Sequence, residues 1–224
     1  EAVHKGLGEM QTLAAGVGDL KKVLTNVKTR GTWGEVQLGN LLEQVLTPDQ
    51  YAKNVSTRPG SNDRVEFAIK LPGPEKREDQ GVWLPIDAKF PAEDYARLVQ
   101  AADSGDSAGV ESAAKALEAR LYGEAQSIKE KYVEPPHTTD FALLFLPTEG
   151  LYAEVLRRPG LVERLQCDHR VVVAGPTTLA ALLNALQMGF RTLAIEKRAR
   201  AVLVLSHESP PSHPATVGGK YGSW

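Results

Sequence analysis

Hydrophobic and polar positions recur with two different periods along the chain, and the switches between them mark out its elements. At the start, Val3, Leu7, Met10, Ala14 and Val17, then Leu20, Leu24 and Val27, are spaced by alternating steps of four and three. That heptad-like spacing predicts the helical end of a coiled coil over residues 1–29. Gly6, Gly8, Gly16 and Gly18 each lower helicity by roughly 1 kcal/mol relative to alanine, so this segment is expected to need a partner surface or a second chain. Leu38, Leu41, Leu42 and Val45 follow at i, i+3, i+4 and i+7, one apolar stripe of a helix beginning near Gly34. The period then drops to two. Val65, Phe67, Ile69 and Leu71 alternate with Arg64, Glu66, Ala68 and Lys70, and Val82, Leu84, Ile86, Ala88 and Phe90 alternate with Trp83, Pro85, Asp87 and Lys89. Both runs read as half-buried strands, joined by the polar, turn-rich stretch PGPEKREDQG.

Helical periodicity returns with Val110, Ala114, Leu117, Leu121, Ala125, Ile128 and Tyr132, a long amphipathic helix that must end before Pro135 and Pro136. FALLFLP and RVVVAG are short, almost wholly apolar runs, as expected of strands covered on both faces. Thr148 and Pro176 stand where helices should start. The order of helix, strands, helices, strand, helices, strand and helix predicts one α/β domain over residues 30–200. The remainder, 201–224, is rich in Ser, Pro and Gly and reads as a loop-like tail.

Composition narrows the field only modestly. With 42% hydrophobic and 24% charged residues, a net charge of -2 and a pI near 6.3, the chain is an ordinary globular one with no global attraction for polyanions. Any nucleic-acid contact must be local, and Lys129, Lys131, Arg191, Lys197, Arg198 and Arg200 could form it, although mixed charge on a helix is more often a solvated face. Aromatic residues make up 6%, which announces no platform for stacking bases. Cys167 is the single cysteine, so an internal disulfide and a cysteine-rich zinc site are excluded, and the lone thiol reads as a small core residue. His4, His137, His169, His207 and His213 have no metal-ligand spacing. No run approaches the ~18 apolar residues of a membrane helix, so no membrane contact and a cytoplasmic location are expected. Because the sequence begins at Glu1 rather than Met, it reads as a fragment, which leaves room for an anchor or further coiled coil upstream.

Candidate chemistry lies on the second strand. Asp87 and Lys89 fall on the same face near its end, and if the two strands pair, Glu66 shares that face. Glu35 lies one turn before Leu38 on the first helix. A structural ion pair is the plainer explanation of Asp87 and Lys89, and a helix-dipole role the plainer explanation of Glu35. The chemical alternative is a metal site. Glu35, Glu66 and Asp87 offer the hard oxygens that suit Mg²⁺, and Lys89 can orient or activate water and stabilise charge at phosphorus. Glu149, just after an apolar strand, could join that site or cap a helix.

Five stretches in order, GTWGEVQLGNLLEQVL, RVEFAIKLPG, VWLPIDAKFPAEDYARL, DFALLFLPTEGLYAEVLRR and VVVAGPTTLAALLNAL, closely resemble the catalytic region of the RmuC DNA-recombination family, from about Arg30 to about Arg200. The resemblance implies a restriction-endonuclease-like core, a mixed central sheet flanked by helices. It also implies a Mg²⁺- or Mn²⁺-dependent deoxyribonuclease acting in recombination, with Glu66, Asp87 and Lys89 as the strand motif and Glu35 as the helical glutamate. Metal would be held by Glu66, Asp87 and Glu35, with no small-molecule cofactor. DNA would be the partner, and the N-terminal helix would support self-association. Two features depart from the pattern: the first strand position is Glu66 where aspartate is common, and the sequence after Arg200 does not continue a helical C-terminal segment. The alternative is an inactive nuclease-fold scaffold that binds DNA or proteins through its helical segment.

Overall fold

A computed structural model describes residues 27–73 and 81–207, with side chains described over 32–73 and 81–195. The heptad-like segment 1–26 and the end of the tail, 208–224, lie outside the described residues. Helix α1 (Val27–Val45) leads into three strands, β1 (Tyr51–Val55), β2 (Val65–Leu71) and β3 (Val82–Ala88). Helices α2 (Ala92–Asp103) and α3 (Ser107–Tyr132) connect β3 to β4 (Ala142–Phe145). Helices α4 (Glu149–Leu156) and α5 (Leu161–His169) connect β4 to β5 (Val171–Ala174), and α6 (Pro176–His207) follows.

The five strands form one mixed sheet in sequence order. The three early strands are antiparallel, while β3, β4 and β5 run parallel. The division follows from the connections, since parallel neighbours need long crossovers and here each crossover is a helix pair. Strands β4 and β5 are almost wholly apolar because both their faces are covered, and Ala142, Leu143, Leu144 and Phe145 are all buried. On one face Leu144, Val171 and Val173 pack with Leu117, Leu121, Ala125 and Ile128 of α3, together with Leu151 of α4 and Leu165 of α5. On the other face lies α1. Its Gly39 faces the Phe67 ring, where an added Cβ would stand 3.2 Å from Cζ, so the glycine lets helix and strand approach closely.

Local capping agrees with the element starts. The Asp106 carboxylate accepts from Gly109 N at 2.9 Å at the head of α3, and Thr148 Oγ1 accepts from Leu151 N at 3.2 Å at the head of α4. Glu149 caps rather than joins the candidate site, because its Oε1 accepts from Thr177 N at 2.6 Å at the start of α6. Helix α1 begins at Val27, before the expected start near Gly34, and α6 continues to His207, past Arg200. Cys167 is exposed rather than in the core.

The chain divides into two compact units, Glu1–Asn184 and Ala185–Trp224. The first turns of α6 belong to the first unit, where Leu179 and Leu183 are fully buried. Among the described residues, Pro176–Ile195, with mean hydropathy 1.2, has the length and composition to cross a membrane, contrary to the expectation from counting apolar runs. Only 11% of that stretch is buried.

The two sides of α1 make a stability test. Leu42 is fully buried and Val36 is 50% exposed. Leu42→Ala is expected to lower the unfolding free energy by ~2–5 kcal/mol, and Val36→Ala to change it by less than about 0.5 kcal/mol. Urea denaturation of both variants checks this, and equal effects would contradict the packing described for α1.

Candidate active site on the paired strands

The registered pairing of β2 with β3 ends at Phe67 and Ile86. One residue further, Glu66 and Asp87 stand opposite each other on the same face, as the alternation of side chains requires. The backbone ladder stops here. The Ala88 N–H donates to Glu66 Oε2 at 2.9 Å instead of to a strand carbonyl. On the other edge Lys89 N donates to the Phe145 carbonyl at 2.9 Å, so β4 fixes the lysine's backbone just beyond β3. Trp33 of α1 and Phe90 close the end of this region, with ring centroids 5.6 Å apart.

These constraints bring Glu66, Asp87 and Lys89 together. The Lys89 ammonium lies 2.5 Å from Asp87 Oδ2 and 3.9 Å from Glu66 Oε1. Asp87 is only 2% exposed, because its parallel neighbour on β4 is Leu144 of the core. The Lys89 ammonium closes directly on Oδ2, and among the described residues no other group donates to that buried oxygen. Glu35 is placed differently. It is exposed on α1, beside Gly34, whose position is set by close packing on Ala88 and Pro147. Only its charge reaches the pair, opposing ionisation of Glu66.

Electrostatics follow from this burial. Glu66 is pushed up to about 7, first by desolvation and then by the Asp87 charge, with the Ala88 N–H and Lys89 working the other way. Asp87 is also raised by burial, against the pull of Lys89. For Lys89 burial disfavours the charge, but Asp87, Glu66 and Glu124 outweigh it and hold the ammonium above the usual lysine range. Lys89 therefore stays protonated and can donate charge and hydrogen bonds; it is not a base.

Three residues of α3 join the site's field, although the sequence marked Lys131 only as a possible nucleic-acid contact, Tyr132 only as part of the helix's apolar stripe, and Glu124 not at all. Glu124 opposes ionisation of Asp87, and Lys131 favours it. Tyr132 has its phenol pushed up by burial and then by Asp87 and Glu66. Their seven- and eight-residue spacing on one helix was the available signal, but it could not say which sheet position they would meet. Lys129 is engaged elsewhere, donating to the Asp168 carbonyl at 2.8 Å.

Among the described residues no three His, Cys, Asp or Glu side chains form a group set to enclose a metal ion. The donor set nevertheless fits Mg²⁺ as an open site. That ion takes one or two protein carboxylates and completes its shell with water and phosphate oxygens; Glu66 and Asp87 offer two opposed carboxylates, and the Lys89 ammonium would have to yield its place on Asp87 Oδ2 to the ion.

The paired carboxylates give a pH test for protein held in EDTA. Glu66 ionises near pH 4.5 when unfolded and near 7 when folded. Between those values the folded state retains the extra proton, so stability falls as pH rises through that window and levels off above it. The raised pKa of Asp87 acts in the same direction. Glu66→Gln is expected to flatten this fall and to gain on the order of 2–3 kcal/mol at pH ~8, before allowance for solvent screening. Thermal melts across the range measure it, and an unaltered profile in the glutamine variant would be the contrary result.

Comparison with known proteins completes the picture. The family model described as "RmuC family" matches residues 1–208. A relative from Xylella fastidiosa, named "DNA recombination protein RmuC homolog", is 60% identical over 202 residues, covering 90% of this chain and 44% of its own length. Relatives with the same name from Chlamydia pneumoniae (28% identical, 84% of this chain, 43% of theirs) and Pseudomonas aeruginosa (27%, 90% and 45%) match more distantly. The chain thus spans less than half the length of these relatives. No solved structure matches it. With the family model covering nearly the whole sequence, the chain belongs to the RmuC family.

Proposed function

We propose that this chain carries the catalytic centre of a metal-dependent DNA nuclease acting in recombination, built on a restriction-endonuclease-like core. One observation carries the reading: Glu66 and Asp87 oppose each other at the end of a strand ladder, with the Lys89 ammonium between them at 3.9 and 2.5 Å. Family relatives bear the name of a DNA recombination protein, which supplies the substrate class. Acting on DNA in turn implies the cytoplasm.

Glu66 and Asp87 would hold a magnesium or manganese ion, with Glu35 acting at longer range through its charge. When bound, that ion supplies positive charge for a phosphate and its attacking water. Lys89, kept protonated by its carboxylate neighbours, faces negative charge as it builds at phosphorus and orients the incoming water. Asp87, fixed between β2 and β4, sets the lysine's position. The N-terminal segment would add self-association, as its heptad-like spacing suggests. The tight closure of Lys89 on Asp87 also favours a second reading, an inactive scaffold of the same fold that binds DNA or proteins through its helical segment.

Two variants separate these readings. Asp87→Asn is expected to abolish Mg²⁺-dependent cleavage of labelled DNA while leaving the metal-free protein as stable or slightly more so, since a buried carboxylate is removed. Lys89→Ala is expected to lower cleavage by ~10²–10³-fold. It should also destabilise the metal-free protein by up to ~3–5 kcal/mol, because Asp87 is left buried without its partner. Mg²⁺ should then raise the melting temperature of Lys89→Ala more than that of the wild type. A wild-type chain with no metal-induced shift and no cleavage would leave only the scaffold.

A further inference from the structure

The sheet face that carries the carboxylates has a second feature four residues back along β3. A groove of about 600 Å³ is lined there by Arg58, Gly60, Lys70, Gly81, Trp83 and His137, among others. Lys70 and Trp83 are cross-strand partners. Side-chain alternation therefore puts them on the same face as Glu66 and Asp87, with Ala68 and Pro85 between.

Both walls of this groove are fixed. The Trp83 N–H donates to the His137 carbonyl at 3.0 Å, and its own carbonyl accepts from Thr139 N at 2.9 Å. The half-buried indole thus stands on a backbone bonded twice to the 137–139 segment. Lys70 is exposed, and its stem lies across Gly81, where an added Cβ would come within 2.8 Å of Lys70 Cγ. The glycine makes room for the lysine beside the indole. The opposite wall is pinned to the end of α3. Arg58 Nε pairs with Glu134 at 2.8 Å, its NH1 donates to the Glu130 carbonyl, and Thr57 Oγ1 donates to the Tyr132 carbonyl at 2.8 Å. Ser56 Oγ donates to the Ser61 carbonyl at 2.9 Å, and Gly60 takes φ +75°, a value that suits glycine at the bend. The Arg58 charge is spent on Glu134. The Lys70 charge is felt by Asp49, but the two are not closed into an ion pair.

A fixed aromatic face beside an ammonium that is in no ion pair among the described residues is the pairing that holds an unstacked base and its phosphate. Duplex DNA hides its base faces, so the indole selects an unpaired strand. Trp83 and Asp87 are separated by four strand residues, about 13 Å along the sheet, a span that an extended strand crosses in a few nucleotides. We propose that this groove is a subsite for a single-stranded flank of DNA, with Trp83 stacked on a base and Lys70 against a phosphate. The link to a scissile bond at Glu66 and Asp87 rests on the nuclease reading; the groove's affinity for a single strand does not.

The test measures binding without turnover. Fluorescein-labelled oligo(dT) is titrated with the full chain in EDTA, and fluorescence anisotropy is followed at several salt concentrations. Trp83→Ala is expected to weaken binding about tenfold, the effect of losing one stacked base, while Trp83→Phe, which keeps a ring, should lose less than about threefold. Lys70→Glu should weaken binding and make its logarithmic salt slope shallower by roughly 0.7, the value for one phosphate that lysine no longer neutralises. Asp87→Asn should bind as tightly as the wild type or more so. Thermal melts establish that each variant is folded, and if Trp83→Ala is not, the Lys70→Glu result decides. The proposal is overturned by absence of oligo(dT) binding in the wild type, by unchanged affinity in folded Trp83→Ala, or by unchanged affinity in Lys70→Glu. Trp83-dependent binding by a wild type that never cleaves would support the groove and remove the nuclease. Cleavage that persists with Trp83-independent binding would do the reverse.

Discussion

A carboxylate buried where a strand ladder ends dictates the rest of the candidate site. Asp87 has Leu144 of the core on one side in the sheet and Glu66 on the other. Desolvation alone would make its charge expensive, and an acid opposite adds repulsion. Three remedies exist for such a pair: a shared proton, a nearby lysine, or a cation. Two are visible, in the Glu66 carboxyl pushed to about 7 and in the Lys89 ammonium at 2.5 Å from Asp87. Lys89 occupies Oδ2 directly. One ammonium thus stands against two carboxylates, a balance that by itself fits a structural ion pair as well as a cation site.

Holding that arrangement takes elements from across the chain. Strand β4 fixes the backbone of Lys89, α1 approaches through Gly34 against Ala88, and α3 brings Glu124, Lys131 and Tyr132 into the electrostatic field. Helix α3 also roofs the neighbouring core through Leu117, Leu121, Ala125 and Ile128. One helix thus seals the apolar part of the sheet and tunes the polar stripe beside it. A change in its register would disturb packing and charge together.

The strands bearing the site were legible in the sequence because their period-two alternation is clean and their pairing follows from a short connection. Once β2 and β3 are paired, Glu66, Asp87 and Lys89 must share a face. The long helix was equally plain, since its apolar stripe matches the buried positions from Ala114 to Ile128. Strand β1 was not. YAKNV is short, forms the sheet's edge and contains Asn54 at φ 51°, so neither periodicity nor continuous apolarity marks it. The α3 contributions were hidden for a different reason: polar residues on a helix look alike whether they face water or a carboxylate on a strand forty residues earlier. Trp83 was overlooked through composition, because a low aromatic fraction says nothing about where a single ring is held.

The stripe shared by Glu66, Ala68 and Lys70 with Asp87, Pro85 and Trp83 is polarised along its length. Its two ends differ in charge, with two carboxylates and Lys89 at one and Lys70 beside Trp83 at the other. If the proposed groove binds a DNA strand, that strand would gain energy chiefly at the Lys70 end. A cation at the carboxylates would reverse the sign of the local field and let the same strand lie along the whole stripe. On the proposed reading, binding and positioning of a scissile bond would be physically separable on this surface: the first would depend on a stacked ring and one lysine, the second on neutralising two opposed acids. Such a division requires that the two ends be rigidly related, and a pair of hydrogen-bonded strands is the simplest element that provides it.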